Sequence, residues 1–146
     1  MNQAVPFHPS RIFAQSGMTL PRVMVSPARY IQGPGVLKKT GSYVALMDST
    51  CFGILASERS QQAETAQVVE SLEASGNTAV TTTFGGECSL EEIEHQVKIL
   101  SNKDVDALIA VGGGKCVDAG KCIAERLGVP IVVIPSLASN DAPTSA

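Results

Sequence analysis

The chain has 146 residues, of which 44% are hydrophobic and 17% are charged, as in an ordinary globular protein of one domain. Its formal net charge of −3 gives no electrostatic support for nucleic acid or an anionic membrane as a partner. No segment resembles a secretory signal or reaches the length of a transmembrane span. Aromatic residues are scarce, and a core of Val, Ile, Leu and Ala suits a buried parallel sheet covered by helices.

The amino-terminal part of the chain shows no regular hydrophobic period. Residues 1–20 are predicted to form a disordered arm before a dinucleotide-binding domain over residues 21–146. Basic residues occur before the first acidic residue, Asp48, and an acid-poor amino terminus is also typical of a mitochondrial transit peptide. A plain arm on a cytoplasmic protein is the favoured interpretation, and mitochondrial targeting is the alternative.

Strands and helices are predicted to alternate along the rest of the chain. Residues 22–25 and 29–32 are predicted to be short strands, and residues 36–40 a helical turn. The apolar run at 43–48 is predicted to be a buried strand that ends in the carboxylate of Asp48. Further strands are expected at 78–84, 107–111 and 130–134, and helices at 60–74, from Ser89 onwards and at 115–127. This order predicts an α/β fold, a doubly wound parallel sheet of the Rossmann-like type.

The most informative motif is Gly112-Gly113-Gly114-Lys115, between a predicted strand and a predicted helix. Glycines allow close approach of the backbone, and the amino end of a helix supplies free N–H groups, so this turn is a candidate phosphate site. A simple tight turn between strand and helix is the alternative. The spacing matches neither G-x-G-x-x-G nor the P-loop pattern.

Other polar residues have both a functional and a structural interpretation. A carboxylate at a strand end, as predicted for Asp48, can bind ribose hydroxyls and repel a 2′-phosphate, or can simply cap a helix. Asp118 follows the glycines and either contacts the cofactor or interacts with the helix dipole. The loop at 135–146 suits a ligand site or a polar surface. Four cysteines without a C-x-x-C pair and two isolated histidines predict no metal site.

Several segments together resemble the glycerol dehydrogenases of the iron-type alcohol dehydrogenase superfamily. The resemblance lies in Tyr30-Ile31-Gln32-Gly33, in Phe84-Gly85-Gly86-Glu87-Cys88-Ser89, in the glycine motif with Asp118 and Lys121, and in residues 135–146. It implies that this chain corresponds to the amino-terminal NAD-binding domain. It also implies that a second, helical domain, which would hold zinc or iron through an Asp and two His, is missing here.

The resemblance also implies roles for individual residues. Asp48 would bind the adenosine ribose and Asp141 the polyol substrate. The pyrophosphate loop would be formed by Gly112, Gly113, Gly114, Lys115, Cys116, Val117 and Asp118. Further NAD contacts would come from Ser136, Leu137, Ala138, Ser139 and Ser145. Three residues depart from the family pattern: Cys116 replaces the usual Thr or Ser, and Ser136 and Asn140 stand where Thr is common.

We therefore expect the NAD-binding part of an oxidoreductase that converts glycerol or another vicinal diol to a hydroxyketone. Without metal ligands, this chain alone is expected to be inactive, and the full-length family implies a homo-oligomer. The alternative is a stand-alone nucleotide-binding or interaction module without catalysis.

Overall fold

The computed structural model describes residues 27–138 and 141–144. The predicted arm at 1–20 and the predicted strand at 22–25 lie outside these residues. Within them, residues 29–32 are not a strand, so that prediction is wrong. None of the helices in the described part of the chain is long and apolar enough to cross a membrane.

Four parallel strands form the sheet at the centre of the fold. They are β1 (Cys51–Ser57), β2 (Thr78–Phe84), β3 (Ala107–Gly112) and β4 (Ile131–Pro135), in the spatial order β2-β1-β3-β4. β1 and β3 are central and almost wholly buried, as expected for strands covered on both faces. The predicted α/β class and parallel sheet are confirmed.

Helices cover both faces of this sheet. A 3-10 turn (Val36–Lys39) leads into α1 (Thr40–Val44), and the connection from β1 to β2 comprises α2 (Glu58–Ser60), a π-helical segment (Gln61–Thr65) and α3 (Ala66–Ala74). One face packs against α1 and α3, and the other packs against α4 (Leu90–Ser101) and α5 (Gly114–Leu127). The sheet is therefore doubly wound, as predicted.

The predicted strand at 43–48 is wrong. Its first residues belong to α1, and the first strand of the described residues begins later, at Cys51. The helix is stabilised by packing on α3, where the Gly41 N–H donates to Ser71 Oγ at 3.0 Å. A Cβ on Gly41 would lie 2.2 Å from the Ser71 carbonyl oxygen, so the two helices approach as closely as a glycine allows. A short apolar run fits a strand or a buried helix equally well, and here the tertiary contact selects the helix.

Most of the other predicted boundaries are confirmed within one or two residues. Gly128 ends α5 with a left-handed φ of 69°, and the N–H of Val129 donates to the Ala124 carbonyl at 3.0 Å. Ser89 caps α4 by accepting from the N–H of Glu92 at 3.2 Å. Ser89 and Glu92 have the spacing of a reciprocal capping box, which is only half formed, because Glu92 accepts instead from the Gly85 N–H at 2.9 Å.

Gly120 allows α5 to approach β3. A Cβ on this glycine would lie 2.6 Å from the Cβ of Ala110 in the middle of β3. Glycine is unfavourable within a helix by about 1 kcal/mol relative to Ala. The close packing of helix on strand gives the physical reason for this glycine. It also positions the amino end of α5 beside the carboxyl ends of the strands.

Candidate functional site

The candidate site lies at the carboxyl edge of the sheet, between β1 and β3. From β1 the chain turns outward to β2, whereas β3 leads to β4 on the other side. Connections that diverge in this way leave a crevice at the strand ends, where open α/β sheets bind their ligands. Ser57 ends β1 and Gly112 ends β3, so these two residues border the crevice.

Two adjacent glycines in the turn after β3 have different surroundings. A Cβ on Gly112 would lie 2.7 Å from the Cβ of Cys116 and 3.3 Å from the Cβ of Ser57, so Gly112 is packed against the protein. A Cβ on Gly113 would meet only the tip of Leu137, at 4.0 Å. The space beside Gly113 is therefore open, as a backbone that approaches a ligand requires.

Gly113 is also the N-cap of α5. Its φ of −79° is accessible to any residue, and it provides no side chain to cap the helix. The N–H groups of the first helical turn are therefore available to an anion, whose charge the helix dipole also favours. Gly113 thus contributes open space and free donors rather than an unusual backbone angle.

Cys116 lies beneath the turn and not on its surface. The side chain is buried, with Sγ 3.7 Å from the Leu55 carbonyl oxygen and 3.6 Å from that of Val111. Burial raises the pKa of the thiol to about 12, although the Ser57 backbone N–H acts in the opposite direction. The thiol therefore faces the strand ends, so the cofactor contact of Cys116, which stays a prediction, would be made through its backbone N–H in the first turn of α5.

The other residues of the predicted pyrophosphate loop differ in exposure. Val117 is fully buried in the structure, and its place in the pyrophosphate loop stays a prediction. Lys115 is exposed, and its Nζ lies 2.5 Å from Glu87 Oε1. Asp118 is half-buried and lies beyond the first turn of α5, which weakens its interaction with the helix dipole. Gly112, Gly113, Gly114 and Lys115 are brought together at the carboxyl edge.

The loop after β4 joins the same edge. The N–H of Ser136 donates to the Gly112 carbonyl at 2.9 Å, and the tip of the Leu137 side chain borders the open space beside Gly113. Leu137 and Ala138 are exposed. Asp141 is exposed in a turn where its carbonyl accepts from Thr144 N at 2.8 Å. Ser139 and Ser145 lie outside the described residues.

Asp48 lies at the opposite edge of the sheet from the glycine turn. It is exposed and precedes the amino end of β1, whereas the glycines follow the carboxyl end of β3. A strand of this length separates its two ends by about 20 Å. Since the strand at 43–48 does not exist, the placement on which the Asp48 ribose prediction depended is wrong.

The residue that occupies the predicted position of Asp48 is Ser57, which the sequence analysis missed. Its Oγ donates to Ser60 Oγ at 2.9 Å and accepts from the Ser60 N–H at 3.4 Å. The available signal was the continuous apolar run from Phe52 to Ala56, which is buried on both faces. That run is a better match to a central parallel strand than the shorter run before Asp48.

No metal centre is found in the described residues. They contain no group of three or more His, Cys, Asp or Glu side chains that could hold an ion. These residues therefore do not provide a ligand set for the zinc or iron that the resemblance implies.

Comparison with known proteins agrees with the fold. The sequence matches the family described as iron-containing alcohol dehydrogenase over residues 27–146. Glycerol dehydrogenase from Citrobacter freundii is 36% identical over 126 residues, which cover 86% of this chain and 34% of that protein. Glycerol dehydrogenase 1 from Schizosaccharomyces pombe is 34% identical over 125 residues, covering 86% of this chain and 28% of that protein.

A solved structure of a relative has the same fold. The crystal structure of glycerol dehydrogenase from Schizosaccharomyces pombe superimposes with a TM-score of 0.77 at 33% identity, covering 84% of this chain and 31% of that chain. This chain thus spans about a third of the length of the relatives it matches. Because the family match extends over most of its residues and the fold agrees, the chain belongs to the iron-containing alcohol dehydrogenase family.

Proposed function

We propose that this chain is the NAD-binding domain of a polyol dehydrogenase, which oxidises glycerol or a related vicinal diol to a hydroxyketone. The chain by itself binds the nucleotide and does not catalyse the reaction. The relatives named above as glycerol dehydrogenases support the substrate class. The single observation that carries the binding role is the open space beside Gly113 at the carboxyl edge of the sheet.

The glycine turn is suited to the pyrophosphate of a dinucleotide. The group is anionic and needs several hydrogen-bond donors, which the first turn of α5 supplies from the backbone. Gly113 lets the phosphates come near these donors, because a Cβ there would have no protein atom closer than 4.0 Å. Ser136 stabilises the neighbouring loop through its bond to Gly112. This arrangement orients the nucleotide along the β1–β3 crevice.

The chemistry of hydride transfer belongs to the cofactor, which accepts the hydride when bound. The protein's own residues bind and orient it. In this proposal Lys115, Ser136, Leu137 and Ala138 border the nucleotide, Asp141 contacts the polyol, and Ser139 and Ser145 remain predicted NAD contacts. Homo-oligomer formation in the full-length relatives is a further part of the proposal.

A binding titration with matched glycine variants tests this function. We expect calorimetry on the purified chain to detect NAD binding, and Gly113→Val to weaken it by at least about tenfold because the added carbons occupy the phosphate position. Gly33→Val is the control, since a Cβ there meets only Val36, at an ordinary 3.8 Å. Circular dichroism should show that all three proteins are folded.

Two results would contradict the proposal. Unchanged NAD affinity in folded Gly113→Val would show that the glycines form only a tight turn between strand and helix. Formation of NADH from glycerol and zinc by the pure chain would show that this domain is catalytic by itself.

A further inference from the structure

We propose that the site accepts a 2′-phosphate on the adenosine ribose, so that this chain binds NADP at least as tightly as NAD. The phosphate would lie against Ser57 and Arg59, at the carboxyl end of β1. This inference rests on the proposed function, because it concerns the ribose end of the same nucleotide.

The position of Ser57 carries the argument. It is the last residue of β1 and borders the crevice opposite the glycine turn, with its Cβ 3.3 Å from the position of a Cβ on Gly112. In dinucleotide-binding α/β domains, an acidic residue at the relevant strand end binds the ribose hydroxyls and selects NAD. Here that strand end carries a hydroxyl, and the acid once predicted for this role, Asp48, lies at the other edge.

Of two hydrogen-bonded serines at this strand end, Ser57 borders the crevice. Ser57 Oγ donates to Ser60 Oγ at 2.9 Å, and Ser60 is fully buried, so the half-buried Ser57 provides the hydroxyl that a nucleotide can reach. Hydroxyl groups can donate to phosphate oxygens, and they do not repel them as a carboxylate does. A serine at this strand end therefore tolerates both the 2′-hydroxyl of NAD and the 2′-phosphate of NADP.

The charges that follow β1 include a cation available to a phosphate. Arg59 is exposed, and no ion pair among the described residues involves it. An arginine near this position is the feature that accommodates the 2′-phosphate of NADP in related folds, through charge-assisted hydrogen bonds. Glu58 is also exposed and lies between Ser57 and Arg59. Its carboxylate would act against a nearby phosphate, so the experiment includes it.

The test compares the affinities of NAD and NADP for the full chain and four variants by calorimetry. We expect the wild type to bind NADP at least as tightly as NAD. Ser57→Asp should weaken NADP binding by about tenfold and leave NAD binding intact. The new carboxylate repels the 2′-phosphate and can accept hydrogen bonds from the ribose hydroxyls. Arg59→Gln should weaken the binding of NADP by a similar factor and leave the binding of NAD unchanged. Asp48→Asn, at the opposite edge, and Glu58→Gln should leave the ratio of the two affinities unchanged.

The outcomes separate this inference from the proposed function. Binding of NAD with tenfold or greater discrimination against NADP in the wild type would overturn the inference and leave the function intact. A shift of the ratio in Glu58→Gln but not in Ser57→Asp would also overturn it, because Glu58 would then be the selecting residue. Failure of both nucleotides to bind the folded wild type would overturn both proposals. Arg59→Gln changes an exposed residue, so a folding defect in Ser57→Asp does not remove the test.

Discussion

The two ends of the central strands use their polar residues in opposite ways. At the amino end of β1, the Asp106 carboxylate accepts from the N–H of Thr50 at 2.9 Å and from that of Cys51 at 3.0 Å. At the carboxyl end, the N–H groups around Gly113 have no side-chain cap and face open space. Polar groups satisfied within the protein stabilise the fold, whereas oriented but unsatisfied ones are free to bind a ligand.

The same contrast separates two acidic residues near the amino end. Asp106 joins the start of β1 to the start of β3, and Asp48 is exposed with no hydrogen bond among the described residues. An acid beside a strand is therefore not sufficient to indicate a nucleotide site. The end of the strand at which it lies decides its role, because ligands bind at the carboxyl edge.

The largest expected effect on stability is at the carboxyl edge, in Gly112→Ala. The new methyl group would lie 2.7 Å from the Cβ of Cys116 and 2.9 Å from its sulfur, and neither the helix nor the strand can easily move. We expect the free energy of unfolding to fall by about 3 kcal/mol, as for overpacking in a dense core. Urea denaturation measures it, with Gly113→Ala as the control that should be nearly neutral. Equal losses of stability in Gly112→Ala and Gly113→Ala would contradict the conclusion that only Gly112 is packed against the protein.

At the amino edge, Asp106→Ala removes the acceptor that joins β1 to β3. The expected loss of stability is about 2 kcal/mol, because several hydrogen bonds to a charged but partly exposed group are lost. Asp48→Ala should change stability by less than about 0.5 kcal/mol, as for an exposed side chain without partners. Nucleotide affinity should be unchanged in both variants. A loss of nucleotide affinity in Asp48→Ala alone would show that Asp48 belongs to the nucleotide site.

The smallest expected effect is a change in the pH dependence of stability in Cys116→Ser. The thiol pKa is raised in the folded protein to about 12 from its ordinary value of 9.0. The unfolded chain therefore ionises first, so this contribution is complete below pH 9 and is lost as the pH rises towards 12. Wild-type stability should fall above pH 9 by about 1 kcal/mol per pH unit more than that of the variant.

Urea denaturation at pH 8, 9 and 10 provides the measurement for Cys116→Ser. Cys88→Ser is the control, because Cys88 is exposed and burial raises the pKa of its thiol less than that of Cys116, so this variant should change the slope less. Parallel slopes in the wild type and Cys116→Ser would show that the buried thiol does not contribute in this way.

Much of the fold was predictable because local patterns and tertiary demands agreed. The β-branched run of β2, the buried run of β3 and the amphipathic helices each contain enough residues to establish a period. Caps such as Ser89 and Gly128 then marked the helix ends by their own local chemistry. The glycine turn could be identified because it directly follows β3 and precedes α5, so its position at the sheet edge depends only on neighbouring residues.

The first strand and the ribose end of the site could not be predicted in this way. The apolar runs at 43–48 and 51–57 are both short, and although the second matches a central strand better, neither has a period that by itself distinguishes helix from strand. The packing of Gly41 on Ser71 assigns the first run to α1, and the pairing of β1 with β2 and β3 assigns the second run to the sheet. Both contacts join residues that are distant along the chain.

The amino-acid sequence by itself therefore determined the fold class, the order of the later elements and the glycine turn, because these depend on local periodicity and backbone chemistry. Only the tertiary structure decided which residue ends the central strand, and so placed Ser57 rather than Asp48 beside Gly112. A shift of one element along the chain moves a side chain from one edge of the sheet to the other. Long-range packing, which no local pattern encodes, selects between these alternatives.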